Sequence, residues 1–273
     1  MKTFIKSLIP GNSLLFKLIR DIYNFKFWHP KEWHNDILQD YANFNHNVKF
    51  IQIGSSNGIT ADPITQFILK NNWHGILVEP VKYIFEELKK NYSNIKNRLI
   101  FENCAIANEN GKLKFYRLKK SDQPGLPYWY EQLGSLNKDV VLKHKDSIPH
   151  FDELFIEDTV NAITFKNLVD KHSIKKIDFI QIDAEGYDYE ILKMIPLSDF
   201  EVDFVMFENR HLSDHDYKSA IKMLKKTGFR VGTKYKDTIA VRKEILPYLR
   251  NEKNRFSVSF LKNKKREQVQ IAG

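Results

Sequence analysis

Cysteine is almost absent from the sequence, which has one, Cys104, among 273 residues. A single cysteine excludes an internal disulfide framework and a zinc site built on cysteine ligands. Such usage is typical of proteins in a reducing compartment, so we expect a cytoplasmic location. The sequence also lacks an apolar run long enough to span a membrane, an internal repeat and a low-complexity linker.

The N-terminal stretch lacks the features of a secretory signal. Residues 1–20 combine lysines with apolar residues, but Pro10-Gly11 interrupts them early and no small-residue cleavage site follows a convincing apolar core. We expect a helix packed against the domain; a basic amphipathic segment that contacts a membrane surface is the alternative.

Aromatic residues and histidines precede the first predicted strand. Trp33, Ile37 and Tyr41 recur at helical spacing and predict a helix. Histidine can bind metal ions, which makes His29 and His34 candidate ligands. No acidic residue or cysteine stands at a suitable spacing, however, so packing or surface roles are favoured for both. No residue is therefore assigned to a metal site from the sequence.

With 42% hydrophobic residues, the chain can form one large core. Its formal net charge is +9. A positive charge favours anionic partners such as nucleic acid, nucleotide-linked sugars or anionic lipid surfaces. The plainer interpretation of lysines scattered over helices is a solubilising surface.

The stretch from Lys176 to Ile195 is the most informative in the chain. Residues 177–182 form a short apolar run rich in β-branched residues, which predicts a buried strand of a parallel sheet, and helical spacing follows from Tyr189 onwards. Asp183 and Glu185 lie between the two, at the edge where open α/β sheets bind ligands. The alternative is that Asp183 caps the following helix.

A second unit of the same design lies upstream. A strand at residues 48–53 runs into a loop that begins with Gly54 and contains Gly58, followed by a helix. The loop lacks the third glycine of the nicotinamide-binding fingerprint. The next strand ends at Glu79, about twenty residues beyond the loop, where an acidic side chain can accept hydrogen bonds from both hydroxyls of a ribose. The alternative for Glu79 is a solvated charge at a strand end.

Further strands and helices complete an alternating α/β pattern. We predict strands at 98–103, 112–117 and 202–207, a helix at 164–172, and a closing antiparallel pair at 229–233 and 237–241. Residues 119–150 are predicted to be irregular and to form a substrate lid, with aromatics that stack on a sugar or base; the alternative for any one aromatic is that it belongs to a packed surface excursion. Glu208 and His211 follow the 202–207 strand, at the same edge of the sheet as Asp183.

The order of these motifs resembles that of FkbM-family methyltransferases. The resemblance rests on Gly54 to Gly58, Glu79-Pro80, Asn103-Cys104-Ala105, Gly134-Ser135-Leu136 and Ile182-Asp183-Ala184-Glu185-Gly186. Gln181 and Ala184 replace a lysine and a valine that are usual in the family. The resemblance implies a class I, Rossmann-like α/β fold with a mostly parallel seven-stranded sheet and helices on both faces. It assigns residues 48–242 to the methyltransferase domain, between an N-terminal helical or basic extension (1–47) and a basic C-terminal tail (243–273).

The resemblance also implies S-adenosylmethionine as cofactor and O-methylation as the reaction. Asp183 would lie near the reacting methyl group, and Ser135 would reach the cofactor carboxylate or the acceptor. The remaining predicted cofactor residues fall into three groups: Gly54, Ser55, Asn57 and Gly58 at the methionine part, Glu79 at the ribose, and Cys104 and Ala105 at the adenine.

Four residues are candidates for the base that removes the proton of an acceptor hydroxyl: Asp183, Glu185, Glu208 and His211. A divalent cation held by Asp183 and Glu208 is an alternative way to lower the hydroxyl pKa, although the sequence does not require it. The predicted acceptor is a hydroxyl of a glycan, a polysaccharide precursor or a glycosylated metabolite. Methylation of RNA or DNA is less favoured because no Asn-Pro-Pro-Tyr-like motif follows a strand, and a noncatalytic adapter that acts through its basic ends is a third hypothesis.

Overall fold

The structure is a computed structural model that describes residues 33–249. The predictions for the N-terminal segment, for His29 and for the lysine-rich part of the tail fall on residues 1–32 and 250–273 and lie outside the described residues. The described chain divides into two units: a larger unit of residues 33–114 and 159–249, and a smaller unit of residues 115–158.

Helices and strands alternate along most of the chain. The α-helices are α1 (Trp33–Phe44), α2 (Thr65–Lys70), α3 (Lys82–Asn91), α4 (Lys138–Leu142), α5 (Phe151–Leu154), α6 (Phe165–Lys171), α7 (Asp188–Met194) and α8 (Asp214–Lys226). The strands are β1 (Lys49–Ile53), β2 (His74–Val78), β3 (Leu99–Glu102), β4 (Ala105–Ile106), β5 (Gly111–Leu118), β6 (Gly134–Ser135), β7 (Phe155–Ile163), β8 (Phe179–Ile182), β9 (Phe204–Glu208), β10 (Phe229–Lys234) and β11 (Asp237–Arg242). Short 3₁₀ segments occur at Ser93–Arg98, Tyr130–Gln132, Lys145–Ser147 and Leu246–Tyr248.

The larger unit contains a seven-stranded sheet in the order β3-β2-β1-β8-β9-β11-β10. Its first five strands are parallel, and β11 runs antiparallel to both of its neighbours. This arrangement confirms the predicted class I, Rossmann-like fold. A further sheet has the order β4-β7-β5-β6.

The central strands are buried on both faces, which explains their nearly continuous apolar sequences. Alternate residues of one strand face different cores: Phe50 of β1 belongs to a cluster with Phe179 and Phe204, whereas Ile51 belongs to a cluster with Ile180 on the other face. The two faces are covered by different helices, with α1, α2 and α3 on the first and α6, α7 and α8 on the second.

Helix α1 confirms the helix predicted from the spacing of its apolar residues. Ile37, Leu38 and Tyr41 are fully buried in the first of these cores. Although α1 falls within the predicted N-terminal extension, it thus packs into the larger unit. His34 is also buried, with Nδ1 3.6 Å from a carboxylate oxygen of Asp237, which agrees with a packing role.

The smaller unit corrects the prediction that residues 119–150 are irregular. It has a buried core of its own, formed by Leu118, Tyr130, Leu133, Val141, Ile148, Phe151 and Leu154. Tyr130, one of the aromatics predicted to stack on a ligand, is buried, and its hydroxyl donates to the Ser121 carbonyl at 2.9 Å. Tyr128, by contrast, is 51% exposed. Helices α4 and α5 are too short for hydrophobic periodicity to reveal them.

Within residues 33–249, no helix is both long and apolar enough to cross a membrane.

Candidate active site

The glycine loop after β1 touches the backbone of the turn that follows β8. Gly54 has a φ of +79°, and a Cβ atom on it would lie 1.8 Å from the carbonyl oxygen of Asp183. The position therefore requires glycine, both for its φ and for the close approach. The amides of Gly54 and Ser55 donate to the Val78 carbonyl at 3.0 Å. The loop is thus fixed where β2, β1 and β8 end.

The far end of the loop closes against α3. Gly58 has a φ of +72°, and a Cβ atom on it would lie 2.3 Å from Cε2 of Tyr92, whose hydroxyl donates to the Gly58 carbonyl at 2.9 Å. The Asn57 side chain accepts the amides two and three positions later, at 3.1 and 2.9 Å. The buried Ser55 hydroxyl donates to the Gln52 carbonyl at 3.2 Å. Asn57 and Ser55 therefore hold the shape of the loop from within.

Glu79 joins this loop to the end of β2. Its carboxylate accepts the Ser56 amide at 3.0 Å and the Val81 amide at 2.8 Å. Burial raises the pKa of Glu79 to about 7, while the two amide hydrogen bonds act in the opposite direction. The Asn103 side chain donates to the carbonyls of Glu79 and Pro80 at 2.9 and 3.0 Å. Asn103 is thus a supporting residue that the sequence motif contained but that was assigned no role.

Cys104 and Ala105 follow β3 at the same edge of the sheet. Both are buried, and both are small, as a position beside a flat ring requires. Burial and the charge of Glu102 raise the pKa of the Cys104 thiol to about 12. The thiol is therefore protonated at neutral pH, which makes it a packing group and not a nucleophile.

Ser135, another predicted cofactor residue, belongs to the smaller unit. It is fully buried, and strand β6 pairs it with Tyr116 of β5. Its hydroxyl oxygen accepts the Asn137 amide at 3.0 Å.

The four predicted catalytic residues gather at the carboxyl ends of β8 and β9. These strands are adjacent and parallel, with Ile182 opposite Phe207, so Asp183 and Glu208 leave the sheet side by side. His211 Nε2 lies 2.9 Å from Glu185 Oε2 and 3.8 Å from Glu208 Oε2. One ligand-type atom from each of Glu185, Glu208 and His211 lies within 4.8 Å of the other two.

The turn that carries Glu185 depends on Asp188, a residue that the sequence analysis missed. Glu185 and Gly186 have φ values of +46° and +91°. The buried Asp188 carboxylate accepts the Ala184 amide at 3.3 Å and the Gly186 amide at 3.0 Å. Among the described residues, no side-chain capping bond to α7 comes from its N-cap residue, Tyr187. The alternative role of Asp183 as a helix cap therefore has no support, because Asp188 closes this turn.

Lys236 is a second missed residue, and it comes from the hairpin between β10 and β11. Pairing of β11 with β9 places Asp237 opposite Glu208, and Lys236 Nζ lies 3.2 Å from Glu208 Oε1. Burial alone lowers the pKa of Lys236, but the charges of Glu208, Asp183 and Asp237 raise it above its ordinary value. The lysine is therefore a fixed positive charge beside the carboxylates.

Buried negative charge dominates this cluster. Burial raises the pKa of Asp183 well above its ordinary value, and the charges of Glu208 and Glu185 raise it further. Burial also raises the pKa of Glu208, to about 7, and Glu185 adds to the rise. Burial is the larger cause of both shifts, and the charges of the neighbouring carboxylates are the second.

Gln181 stands where the family usually has a lysine. It is buried, and its side-chain oxygen accepts a hydrogen bond from Gln52 Nε2 at 3.2 Å. Gln52 Nε2 also donates to a carboxylate oxygen of Asp62 at 2.8 Å. Position 181 thus contributes a neutral amide to the sheet and no positive charge.

The arrangement combines a backbone loop that suits a nucleotide-like cofactor with a cluster that can remove a proton or bind a cation. An ionised carboxylate whose pKa is raised towards neutral takes up a proton more readily, and a general base works best when its pKa lies near the operating pH. Carboxylate oxygens and an imidazole nitrogen are also ligands of divalent metal ions.

Comparisons with solved structures find similarity to several methyltransferases and to a pre-rRNA processing protein. The chain is similar to methyltransferase FkbM from Methylobacillus flagellatus KT, with 11% identity, a TM-score of 0.46, and coverage of 72% of this chain and 44% of that chain. It is similar to a putative caffeoyl-CoA O-methyltransferase from Staphylococcus aureus, with 12% identity, a TM-score of 0.41, and coverage of 88% of this chain and 98% of that chain. It is similar to the Methanococcus jannaschii fibrillarin pre-rRNA processing protein, with 11% identity, a TM-score of 0.35, and coverage of 72% of this chain and 67% of that chain.

The chain spans less than half of the length of the first of these structures. No curated protein matches the sequence. The sequence profile of a family described as the methyltransferase FkbM domain matches residues 52–231. Because this match covers more than half of the chain, the protein belongs to the FkbM methyltransferase family.

Proposed function

We propose that the protein is an S-adenosylmethionine-dependent O-methyltransferase that acts on a hydroxyl of a glycan, a polysaccharide precursor or a glycosylated metabolite. The observation that carries the proposal is the backbone contact between Gly54 and Asp183. It joins a glycine loop at the carboxyl edge of the sheet to a cluster of buried and half-buried carboxylates. Family membership supports methyl transfer, and the carboxylate cluster supports a hydroxyl as acceptor.

The residues at the ends of β1, β2 and β3 suit an adenosine-containing cofactor. Each Glu79 carboxylate oxygen accepts one backbone amide, and a carboxylate oxygen has further lone pairs for a ribose hydroxyl. Cys104 and Ala105 would border the adenine. When bound, S-adenosylmethionine supplies a methyl group on a positively charged sulfur, which keeps the bonding electron pair when the methyl leaves.

We assign Asp183 as the base. Its backbone lies against the glycine loop, and its strand end is adjacent to that of Glu208. A sugar hydroxyl is weakly acidic, so its proton must leave as the oxygen–carbon bond forms. The Asp183 carboxylate takes that proton. His211 and Glu185, which lie 2.9 Å apart, are in the same cluster, and orientation of the acceptor there would supply a large part of the rate in an in-line transfer.

Calorimetry with S-adenosylmethionine tests the cofactor assignment. Glu79→Gln should weaken binding by about tenfold or more, because it removes a charged hydrogen-bond acceptor. Glu86→Gln is the matched control, because Glu86 lies nearby on α3 and its side chain is 54% exposed. Equal affinities of the two variants would remove the ribose assignment.

Incubation with labelled S-adenosylmethionine tests the acceptor class. Extracted glycans, lipid-linked glycans and RNA are offered as separate pools, and label in a glycan pool is the expected result. Label in RNA, with binding that falls steeply as salt rises, would instead favour a nucleic-acid methyltransferase. Failure to bind the cofactor, together with retained binding to anionic vesicles, would favour the adapter hypothesis.

A further inference from the structure

We propose that Glu185, Glu208 and His211 form a binding site for one divalent transition-metal ion, of the class of Mn²⁺ or Zn²⁺. This ligand set differs from the pair considered from the sequence, because it leaves out Asp183 and includes His211. Glu208 is the last residue of β9, Glu185 and His211 lie beyond the carboxyl ends of β8 and β9, and the hairpin of Lys236 closes the cluster on one side.

The distances between the ligand atoms match those around a small metal ion. Two ligands that are each about 2.1 Å from an ion can be at most about 4.2 Å apart. His211 Nε2 is 2.9 Å from Glu185 Oε2 and 3.8 Å from Glu208 Oε2. The three ligand atoms all lie within 4.8 Å of one another, so a small side-chain rotation brings them onto one ion.

The orientation of Glu208 is a second and independent observation. Its side chain is 5% exposed, and Lys236 binds one carboxylate oxygen, Oε1, at 3.2 Å. The other oxygen, Oε2, is buried and has no hydrogen-bond partner among residues 33–249. A buried carboxylate oxygen without a partner is costly. This oxygen faces His211, where an ion would satisfy it, and Lys236 would hold the ligand in place from behind.

The net charge of the cluster points in the same direction. The carboxylates of Asp183, Glu185 and Glu208 interact with one another, and Lys236 and His211 are the basic groups beside them. A divalent cation would compensate the excess negative charge.

The combination of ligands selects among ions. An imidazole nitrogen with carboxylate oxygens suits Mn²⁺ and Zn²⁺ better than Ca²⁺, which prefers six to eight oxygen ligands. With three protein ligands, positions remain for water and for an acceptor oxygen. A bound hydroxyl would be easier to deprotonate by Asp183, a role that rests on the proposed function.

Calorimetry with the metal ion alone tests the site. The full-length protein is treated with a chelator, which is then removed, and titrated with MnCl₂ in the absence of cofactor. We expect one ion per chain, with affinity reduced at least about tenfold in His211→Gln and in Glu208→Gln. His215→Gln is the matched control, because its side chain is 88% exposed and lies four positions further along. Absence of Mn²⁺ and Zn²⁺ binding by the wild type, or equal affinities of His211→Gln and His215→Gln, would overturn the proposal.

A spectroscopic measurement keeps the proposal testable if a variant fails to fold, as judged by circular dichroism. Pulsed electron paramagnetic resonance of Mn²⁺ bound to the wild type should show coupling to a histidine nitrogen. Bound Mn²⁺ without that coupling would contradict the assignment.

The role of the ion in catalysis is separated from cofactor binding by a chelator. With chelator present, we expect S-adenosylmethionine to bind as before and methyl transfer to fall. Failure of cofactor binding would count against the proposed function and leave the ion titration unaffected. Full methyl transfer in chelator would show that the ion has no part in the reaction.

Discussion

Gly54 packs with its backbone directly on the carbonyl group of Asp183, so closely that a Cβ atom on Gly54 would lie 1.8 Å from the carbonyl oxygen. The two residues are the first after β1 and the first after β8, and these strands are neighbours in the sheet. The loop that we assign to the cofactor and the residue that we assign as base are therefore fixed to each other through backbone atoms. A substitution in the loop should therefore alter the position of Asp183.

Gly54→Ala should strongly destabilise the larger unit. The new methyl group would collide with backbone, which cannot rotate away, and the φ of +79° is unfavourable for alanine. We expect a loss of about 3 kcal/mol or more in the free energy of unfolding, measured by urea denaturation. Gly125→Ala is the control, because its φ is +83° and its Cβ would make an ordinary contact with Pro149, at 3.7 Å. It should cost about 1–2 kcal/mol. Similar losses of unfolding free energy in both variants would show that the close approach of Gly54 to Asp183 does not determine the stability.

The sequence predicted the sheet well because its central strands are buried on both faces. Strands β1, β8 and β9 are short apolar runs, and each ends at a glycine or an acidic residue. Such strands can be recognised from the local sequence alone. The sequence therefore correctly located the loop of Gly54, the end of β2, and the positions of Asp183 and Glu208. Family membership and the fold confirm the resemblance that these motifs carried.

The residues that escaped prediction act through tertiary contacts. Lys236 reaches Glu208 because β11 pairs with β9 in one register, which no local pattern specifies. In the sequence, Asp188 resembles an ordinary residue of a first helical turn. It accepts two backbone amides of the preceding turn, and the positive φ of Glu185 brings these amides within reach. The core of the smaller unit was missed because its helices span four and five residues, less than hydrophobic periodicity needs.

Asp188→Ala should destabilise the turn that carries Glu185. It would leave the half-buried amides of Ala184 and Gly186 without their acceptor, and the loss of an acceptor costs about 1–3 kcal/mol for a fully buried group and less for a half-buried one. Because burial and the charge of Glu208 raise the pKa of Asp188, removal of the charge offsets part of this loss. We expect a net loss of about 2 kcal/mol in urea denaturation. Glu190→Ala, an exposed change on the same helix, should stay within about 0.5 kcal/mol of the wild type. If the two variants were equally stable, Asp188 would not support the turn.

The affinity for S-adenosylmethionine should rise with pH through the titration of Glu79. Its pKa of about 7 in the folded protein lies above the usual 4.5, and ribose hydroxyls donate to the ionised form. Between about pH 6 and about pH 8 the ionised fraction, and with it the association constant, should rise about tenfold. Calorimetry at several pH values measures this slope.

Glu79→Gln supplies the control for that slope, because glutamine does not titrate. Its affinity should be lower and nearly constant over the same range. The raised pKa also affects stability: the folded form holds a proton that the unfolded form releases between about pH 4.5 and about pH 7, so this group lowers the stability of the free protein as pH rises through that window. An unchanged pH dependence of affinity in Glu79→Gln would assign the titration to another group.

Asp183→Asn should preserve the fold and much of the cofactor affinity while it strongly reduces turnover. The change is nearly isosteric, and it keeps a hydrogen-bonding group at the end of β8. It removes the carboxylate that takes the acceptor proton, and loss of a general base costs about 10²–10⁴ in rate. Turnover is measured with labelled S-adenosylmethionine on protein whose folding is verified by circular dichroism, with Asp170→Asn, an exposed change on α6, as the matched control. A melting temperature lowered by several degrees, with turnover of the folded fraction near that of the wild type, would show that Asp183 is structural and that the base lies elsewhere in the cluster.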